Sequence, residues 1–448
     1  VSTRETLHDG LGGLGGLSGL GTLAALLTEG SFHPAEPQNL DEAGLTDSEV
    51  EALTCKRLLG VGMDNGRNLA EFLALPLSLM DKTLQRLRTR QLVTHKGSAL
   101  LGDYNYVLSE EGRDFAQIQL QRCAYLGPAP VPLADYVTSV DAQTIRAEAP
   151  KRQQLEEACA DISVNPELFA RLGPAVNSGA GLFLYGAPGN GKTTLAERIT
   201  LCFGHEIWIP HAISVEGEII KLFDPAYHHQ VGGTKHSIIR DDSHDKRWVR
   251  IKRPTVVVGG ELTMDSLEIR FNLEANVSEA PLQMKSNCGS LLIDDFGRQR
   301  MNPMELLNRW IVPLEKHHDY LRLPSGKKIR VPFDQLIIFS TNLEPKDLVD
   351  EAFLRRIPYK INVPDPDEQE FHNLFQLYAP MFGCDYRPAV VDYLLATHYR
   401  PHNRPLRRCH PRDLLMQIRN VCAYLDKPLA MNPGNFDLAV ENYFTVVY

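Results

Sequence analysis

The spacing of apolar residues divides the chain into stretches of different character. In the first, Leu11, Leu14, Leu17, Leu20, Leu23 and Leu26 recur every third residue among glycines. That period fits neither an α-helix nor a strand, and glycine makes ordering entropically costly. Residues 1–41 are therefore expected to form a disordered Gly/Leu-rich tail, with a partner-docking strip as the alternative. From residue 42 a helical period takes over. Thr46 with Glu49 is a capping box that opens a helix to about residue 59. A shorter helix is expected near 67–74, and Pro76 resets the chain for a third at 77–91. A short strand at 92–96, Gly97 and Gly102, and an aromatic strand Tyr104–Leu108 predict a hairpin, with another helix after Ser109. Pro128, Pro130 and Pro132 predict a stiff, extended linker over 123–149. Residues 150–364 then alternate short apolar runs with helical stretches, the pattern of an α/β domain. Residues 365–448 are helical in pattern, with helices expected at 368–378, 388–397, 412–425 and 436–443.

Three helices followed by a two-stranded wing is an order that resembles winged helix-turn-helix domains, so 42–122 is expected to be winged-helix-like. Lys82, Arg86, Arg88 and Arg90 on the third helix, with Lys96 on the next strand, face one acid, Asp81. Positive charge there suits a helix entering a DNA major groove. Docking to protein, or packing within the chain, is the alternative.

Candidate chemistry concentrates in the α/β stretch. Gly186, Ala187, Pro188, Gly189, Asn190, Gly191, Lys192 and Thr193 satisfy G-x-x-x-x-G-K-S/T, between an apolar strand at 181–185 and a helix from Thr194. The glycines let backbone N–H groups curl around phosphate oxygens, and the helix N-terminus adds partial positive charge. Lys192 would reach the β- and γ-phosphates of ATP, and the Thr193 hydroxyl would ligate Mg²⁺. The apolar run from Ser290 to Ile293 ends in Asp294, placed to hold the Mg²⁺ shell, and Asp295, placed to polarise the attacking water. A second buried strand ends at Asn342, which can bridge the γ-phosphate and that water. Arg355 and Arg356 follow on an apolar stretch, and Arg412 falls in the first turn of a later helix.

Taken in order, these elements resemble the AAA+ ATPase superfamily over about residues 150–448. Residues 186–193 stand at Walker A and 291–295 at Walker B. Asn342 stands at sensor 1, Arg355 and Arg356 at the arginine-finger place, and Arg412 at sensor 2. The resemblance implies a P-loop core with a parallel sheet sandwiched by helices, and a C-terminal helical lid. It also implies a ring, usually a hexamer, in which one subunit's finger completes its neighbour's ATP site. Asp295 departs from the usual Glu and is one methylene shorter, so slower hydrolysis is expected. Between Lys192 and Asp294, expected strands at 247–251, Thr255–Val258 and 267–272 look like an inserted β-element. Residues 320–332 read as a hairpin turning at Ser325 and Gly326. With Asn287 and Gly289 ahead of the acidic strand, it resembles MoxR-like and enhancer-binding-type members. Lys327, Lys328 and Arg330 on it are candidates to grip an acidic client or a nucleic-acid backbone, a solvated edge being the alternative. The basic loop at 399–408 is expected to be solvated, contact with phosphate of the ligand or of nucleic acid being the alternative.

Composition narrows the partners. Apolar residues make up 43% and charged residues 23%, ordinary for a globular chain, and the net charge of −9 argues against coating nucleic acid by bulk charge. Eight scattered cysteines, none in a C-x-x-C pair, point to free thiols in a reducing, cytoplasmic setting. His228, His229, His236 and His244 lie near Asp241, Asp242 and Asp245, but their spacing fits no metal-ligand pattern, so a solvated loop is expected. Residues 10–28 carry no charge, yet seven glycines, with Glu5 and Asp9 ahead of them, exclude a signal peptide or a membrane span. The expected function is Mg²⁺-dependent ATP hydrolysis that remodels a protein or nucleic-acid client. The alternatives are an ATP-switched DNA-binding regulator or loader acting through the winged helix, and a scaffold that binds ATP and scarcely hydrolyses it.

Overall fold

The computed structural model describes residues 32–99, 102–162, 165–204, 206–232, 244–273, 276–348 and 351–444. The leucine repeat, His236, Asp241 and Asp242 lie outside the described residues. The end of the expected tail is not disordered: Phe32 is buried, its ring 5.4 Å from that of Trp248.

The front unit follows its sequence signals. Thr46 closes both arms of a capping box on helix Asp47–Val61. Helices Gly66–Leu73 and Leu77–Thr89 follow, and Val93–Ser98 pairs antiparallel with Tyr104–Leu108. The expected basic patch is not assembled as such. Arg86 pairs with Asp47 at 2.5 Å, and Arg90 pairs with the buried Glu51. Packing the third helix on the first brings these acids in, which leaves Lys82 and Arg88 on the surface.

The expected linker is packed structure. Val131–Pro132 adds a strand parallel to Ala212–Val215, Leu133–Ala142 is a helix, and Ala129 and Val131 have no exposed surface. Proline supplies no N–H, but an edge strand does not need every donor. The buried Arg247 ties the unit down: it pairs with Asp245 at 2.7 Å and donates to the carbonyls of Ala43 (2.7 Å) and Pro130 (3.1 Å).

At the centre is a five-stranded, wholly parallel sheet, the expected α/β architecture. Its strand order is Thr255–Val258, Ser290–Ile293, Leu336–Thr341, Leu182–Tyr185, Tyr359–Asn362. Its strands read as continuous apolar runs because both faces are covered, by helices Pro166–Ser178 and Lys192–Thr200 on one side and Pro303–Lys316 on the other. Thr255–Val258, expected in the inserted element, is instead the edge strand of this sheet. The insertion therefore falls on either side of it. Glu206–Pro210 pairs with Trp248–Lys252, while Ala212–Val215 and Glu218–Lys221 join Val277–Glu279 and Arg270–Asn272 in a second sheet. The expected hairpin is present as His318–Arg322 and Lys328–Pro332. Its inner face, Leu321, Ile329 and Val331, is buried with Ile213 and Ile220 of the insertion.

The C-terminal helices are Glu368–Phe382, Pro388–Leu394, His410–Tyr424 and Pro433–Tyr443. Proline opens three of them, where its missing N–H costs nothing. They enclose their own core around Phe371, Phe375, Leu414 and Phe436. No described helix is long and apolar enough to cross a membrane.

Candidate functional site

Strand Leu182–Tyr185 delivers the chain to a loop whose backbone only glycine adopts easily. Gly186, Gly189 and Gly191 have φ of 140°, 81° and 76°. A Cβ on Gly186 would lie 2.5 Å from the carbonyl of Val363, and one on Gly189 2.5 Å from Cys409 Sγ. The following helix, Lys192–Thr200, has no side-chain cap, and its first-turn residues Lys192, Thr193 and Thr194 line the cavity.

Lys192 organises the floor of that cavity. Its ammonium donates to the carbonyls of Gly186 (2.9 Å) and Ala187 (3.0 Å) and to Asn342 Oδ1 (2.8 Å). Burial pulls its pKa below the usual lysine value, against the pull of Asp294 and Asp295. Asn342 in turn donates from Nδ2 to Asp295 Oδ1 at 3.1 Å. Beside this chain, Thr193 Oγ1 donates to Asp294 Oδ2 at 2.8 Å. Adjacent parallel strands carry the two acids and the amide: Asp294 follows Ile293, which pairs with Phe339. Asp295 sits at φ 48°, a left-handed conformation that Asp tolerates better than most residues. Gln299 holds the bend by donating to the carbonyls of Asp294 (2.9 Å) and Asp295 (3.2 Å).

The enclosing cavity has a volume of about 500 Å³. Of the residues expected from sequence, Pro188 to Thr194, Asp294, Asp295, Asn342 and Arg412 line it. Gly186 and Ala187 act through their carbonyls on Lys192. Arg355 and Arg356 do not line it: Arg355 is exposed and bridges to Glu351 at 3.1 Å, while Arg356 donates to Glu315 at 2.7 Å.

The basic loop corrects its expectation. It is not simply solvated, for Arg408 is buried and pairs with Glu370 at 3.0 Å, and Arg407 pairs with Asp365. Its end docks on the glycine loop: Cys409 N–H donates to the carbonyl of Gly189 (2.9 Å), and Arg408 N–H to Asn190 Oδ1 (3.3 Å). Asn190 Nδ2 donates to Asp365 Oδ1 at 2.7 Å. Arg408, at the end of the loop whose alternative reading was phosphate contact, also lines the cavity, as do Cys409, Arg298 and Tyr378, which were missed from sequence. The run of arginines just ahead of the Arg412 helix was the available signal. Arg412 itself is more exposed, and its guanidinium rests on Asp413 at 3.0 Å.

The donor set suits Mg²⁺. Thr193 and Asp294 offer two hard oxygens side by side, and among the described residues no cluster of three His, Cys, Asp or Glu forms a protein-only metal cage. Mg²⁺ is typically held by one or two protein oxygens plus phosphate and water. His228 is buried rather than solvated, its Nδ1 accepting from Asp224 N–H at 3.0 Å and its Nε2 lying 2.8 Å from the Lys285 carbonyl.

A family model described as a domain of unknown function (DUF8689) matches residues 367–442. No curated protein matches the chain. Among solved structures, NtrX from Brucella abortus in complex with ATP is similar at 15% identity and a TM-score of 0.39, covering 63% of this chain and 56% of that one. The ADP complex of NtrX gives 14% identity over the same shares, with a TM-score of 0.39. A RuvB variant from Thermotoga maritima is similar at 15% identity and a TM-score of 0.38, covering 64% of this chain and 73% of that one. The chain thus spans little more than half of NtrX.

Proposed function

We propose that this chain is a Mg²⁺-dependent AAA+ ATPase that hydrolyses ATP at the seams of a ring, a hexamer as the superfamily usually forms, and thereby remodels a macromolecular partner. The observation that carries the reading is the hydrogen-bonded line Lys192–Asn342–Asp295 beside the Thr193–Asp294 pair, on the floor of one cavity. Lys192 and the first-turn N–H groups would bind the β- and γ-phosphates. Thr193 and Asp294 would hold Mg²⁺, which supplies charge neutralisation at the phosphate oxygens when bound. Asn342, through its hydrogen bond, would orient the Asp295 carboxylate, which would accept a proton from water attacking in line. Arg412 and Arg408 would report the nucleotide to the C-terminal helices, and Arg355 and Arg356 would act on a neighbouring subunit's site. A DNA-binding regulator gains less support, because Asp47 and Glu51 neutralise half of the helix charge it would use.

Titration calorimetry with Mg²⁺ and ATP, paired with phosphate release, tests the reading. Lys192→Ala should abolish measurable binding. Asp295→Asn should bind ATP within a few-fold of the parent and lose turnover by roughly 10²–10⁴-fold. An absence of heat with the folded parent protein, or unimpaired turnover in Asp295→Asn, would overturn it.

A further inference from the structure

The hairpin turns one face into the core and leaves the other open. In its register Tyr320 lies opposite Arg330, and Arg322 opposite Lys328. All four are exposed. Arg322 and Lys328 are like charges on directly opposed positions, an arrangement that costs stability, and among the described residues neither has an ion-pair partner. The nearby acids are already engaged. Glu268 and the buried Asp319 both pair with Arg309, and Glu216 pairs with Lys327 at 2.7 Å. The uncompensated charge is therefore confined to the outer face of the hairpin.

Next to that face runs a groove of about 520 Å³, walled on one side by Tyr320, Arg322 and Lys328 and on the other by Phe271 of the inserted sheet and by Glu268, whose carboxylate is paired with Arg309. Tyr320 is 53% exposed and Phe271 41%, although both are large aromatic side chains. The two cross-strand rungs lie two residues apart, about 7 Å along the hairpin. Cations in rungs beside exposed aromatic rings match the needs of an unpaired polynucleotide: phosphates for the cations, and free base faces for the rings. A duplex hides its base faces, and an acidic peptide has none. The hairpin enters the core sheet at Leu336, the end of that strand opposite Asn342, so the groove lies away from the nucleotide cavity.

We infer that the groove between the hairpin and strand Arg270–Asn272 is a binding site for single-stranded nucleic acid. Arg322 and Lys328 engage the backbone, and Tyr320 and Phe271 stack bases. As the identity of the remodelled partner, it rests on the function proposed above. Its test uses no ATP, so its failure would leave the ATPase reading standing.

The test is fluorescence anisotropy of labelled oligothymidylate and oligouridylate with the full chain, over a salt series, with melting midpoints confirming that each variant is folded. The two oligomers distinguish DNA from RNA. Arg322→Ala with Lys328→Ala should weaken binding at least tenfold at low salt, and should flatten the log–log salt slope by about 1.4, as expected for two lost phosphate contacts. Tyr320→Ala with Phe271→Ala should weaken binding about tenfold or more while leaving the slope unchanged. Lys327→Ala, whose charge is already paired, should stay within about twofold of the parent. Failure to bind either oligomer would overturn the proposal, as would a preference for duplex or equal losses in Lys327→Ala. A polyglutamate peptide that binds through Arg322 and Lys328 without competition from oligonucleotide would overturn it in favour of an acidic protein.

Discussion

Asn342 shows how much of the site's chemistry rests on one uncharged side chain. Its carbonyl oxygen takes one hydrogen bond from Lys192, and its amide gives one to Asp295. Removing it strips the ammonium of one acceptor of three and frees the short carboxylate to rotate. Asn342→Ala should therefore lower single-turnover phosphate release by roughly 10²–10³-fold, comparable to losing one preorganised donor. ATP affinity, measured by calorimetry, should change only a few-fold, since the Gly186 and Ala187 carbonyls still position Lys192. Equal losses in binding and turnover would mean that Asn342 serves only the fold. Residues of this kind were legible in sequence because each stands at a fixed offset from a strand end or a glycine turn. The buried pairing of Arg408 and the role of Asp365 were not. Their partners, Glu370 and Asn190, come from other elements, and a buried arginine looks like a solvated one until its acid is located.

The C-terminal helices meet the glycine loop through Asn190, a position the motif leaves free. Asn190 is buried and spans Asp365, ahead of the first C-terminal helix, and Arg408, ahead of the third. Leaving the polar atoms of the buried Asn190 amide without their partners is costly. Asn190→Ala should loosen this junction and raise the ATP dissociation constant about tenfold, while turnover at saturation changes less than threefold. A matched fall in both would show a general loss of structure instead. The same junction carries a titrating group. Burial, reinforced by Arg407, holds His410 down from 6.5 to about 4, with its ring beside the Tyr399 hydroxyl at 3.0 Å. Between those values the unfolded chain binds the proton and the folded chain does not. Stability is thus full above pH 6.5 and falls as pH drops toward 4, by about 3 kcal/mol if the whole shift is realised. His410→Gln should flatten that acid limb in urea midpoints taken from pH 7.5 to 4.5. At this scale the helices and the hairpin were readable, because caps, prolines and alternation are local. The packed prolines at 128–132 and the core role of Thr255–Val258 were not, because strand partnership is decided by segments far away in sequence.

Across the whole molecule, the buried Arg247 and its Asp245 partner join the front unit to the core, whereas Arg355 and Arg356 do not line the cavity. Arg355 bridges to Glu351 on the surface and Arg356 to Glu315 in a partly exposed pair, contacts of a kind that contributes little to stability. Two arginines that follow the Asn342 strand yet stand outside the cavity make sense if a neighbouring subunit presents its site to them, through a head-to-tail interface of the kind that closes rings. A chain with Arg355→Ala and Arg356→Ala should fold and bind ATP but turn over slowly, and so should Asp295→Asn. Mixed at equal amounts and reassembled, the two should form seams in which one subunit supplies an intact Asp295 and the other intact arginines. Random assortment gives such seams at about one site in four, so phosphate release should recover to roughly a quarter of the parent rate. The recovery should peak near equal mixing and vanish at either extreme. If activity stays at the level of the separate variants at every ratio, the arginines do not act across a seam, and a site complete within one chain must be sought around Arg298 and Arg408 instead.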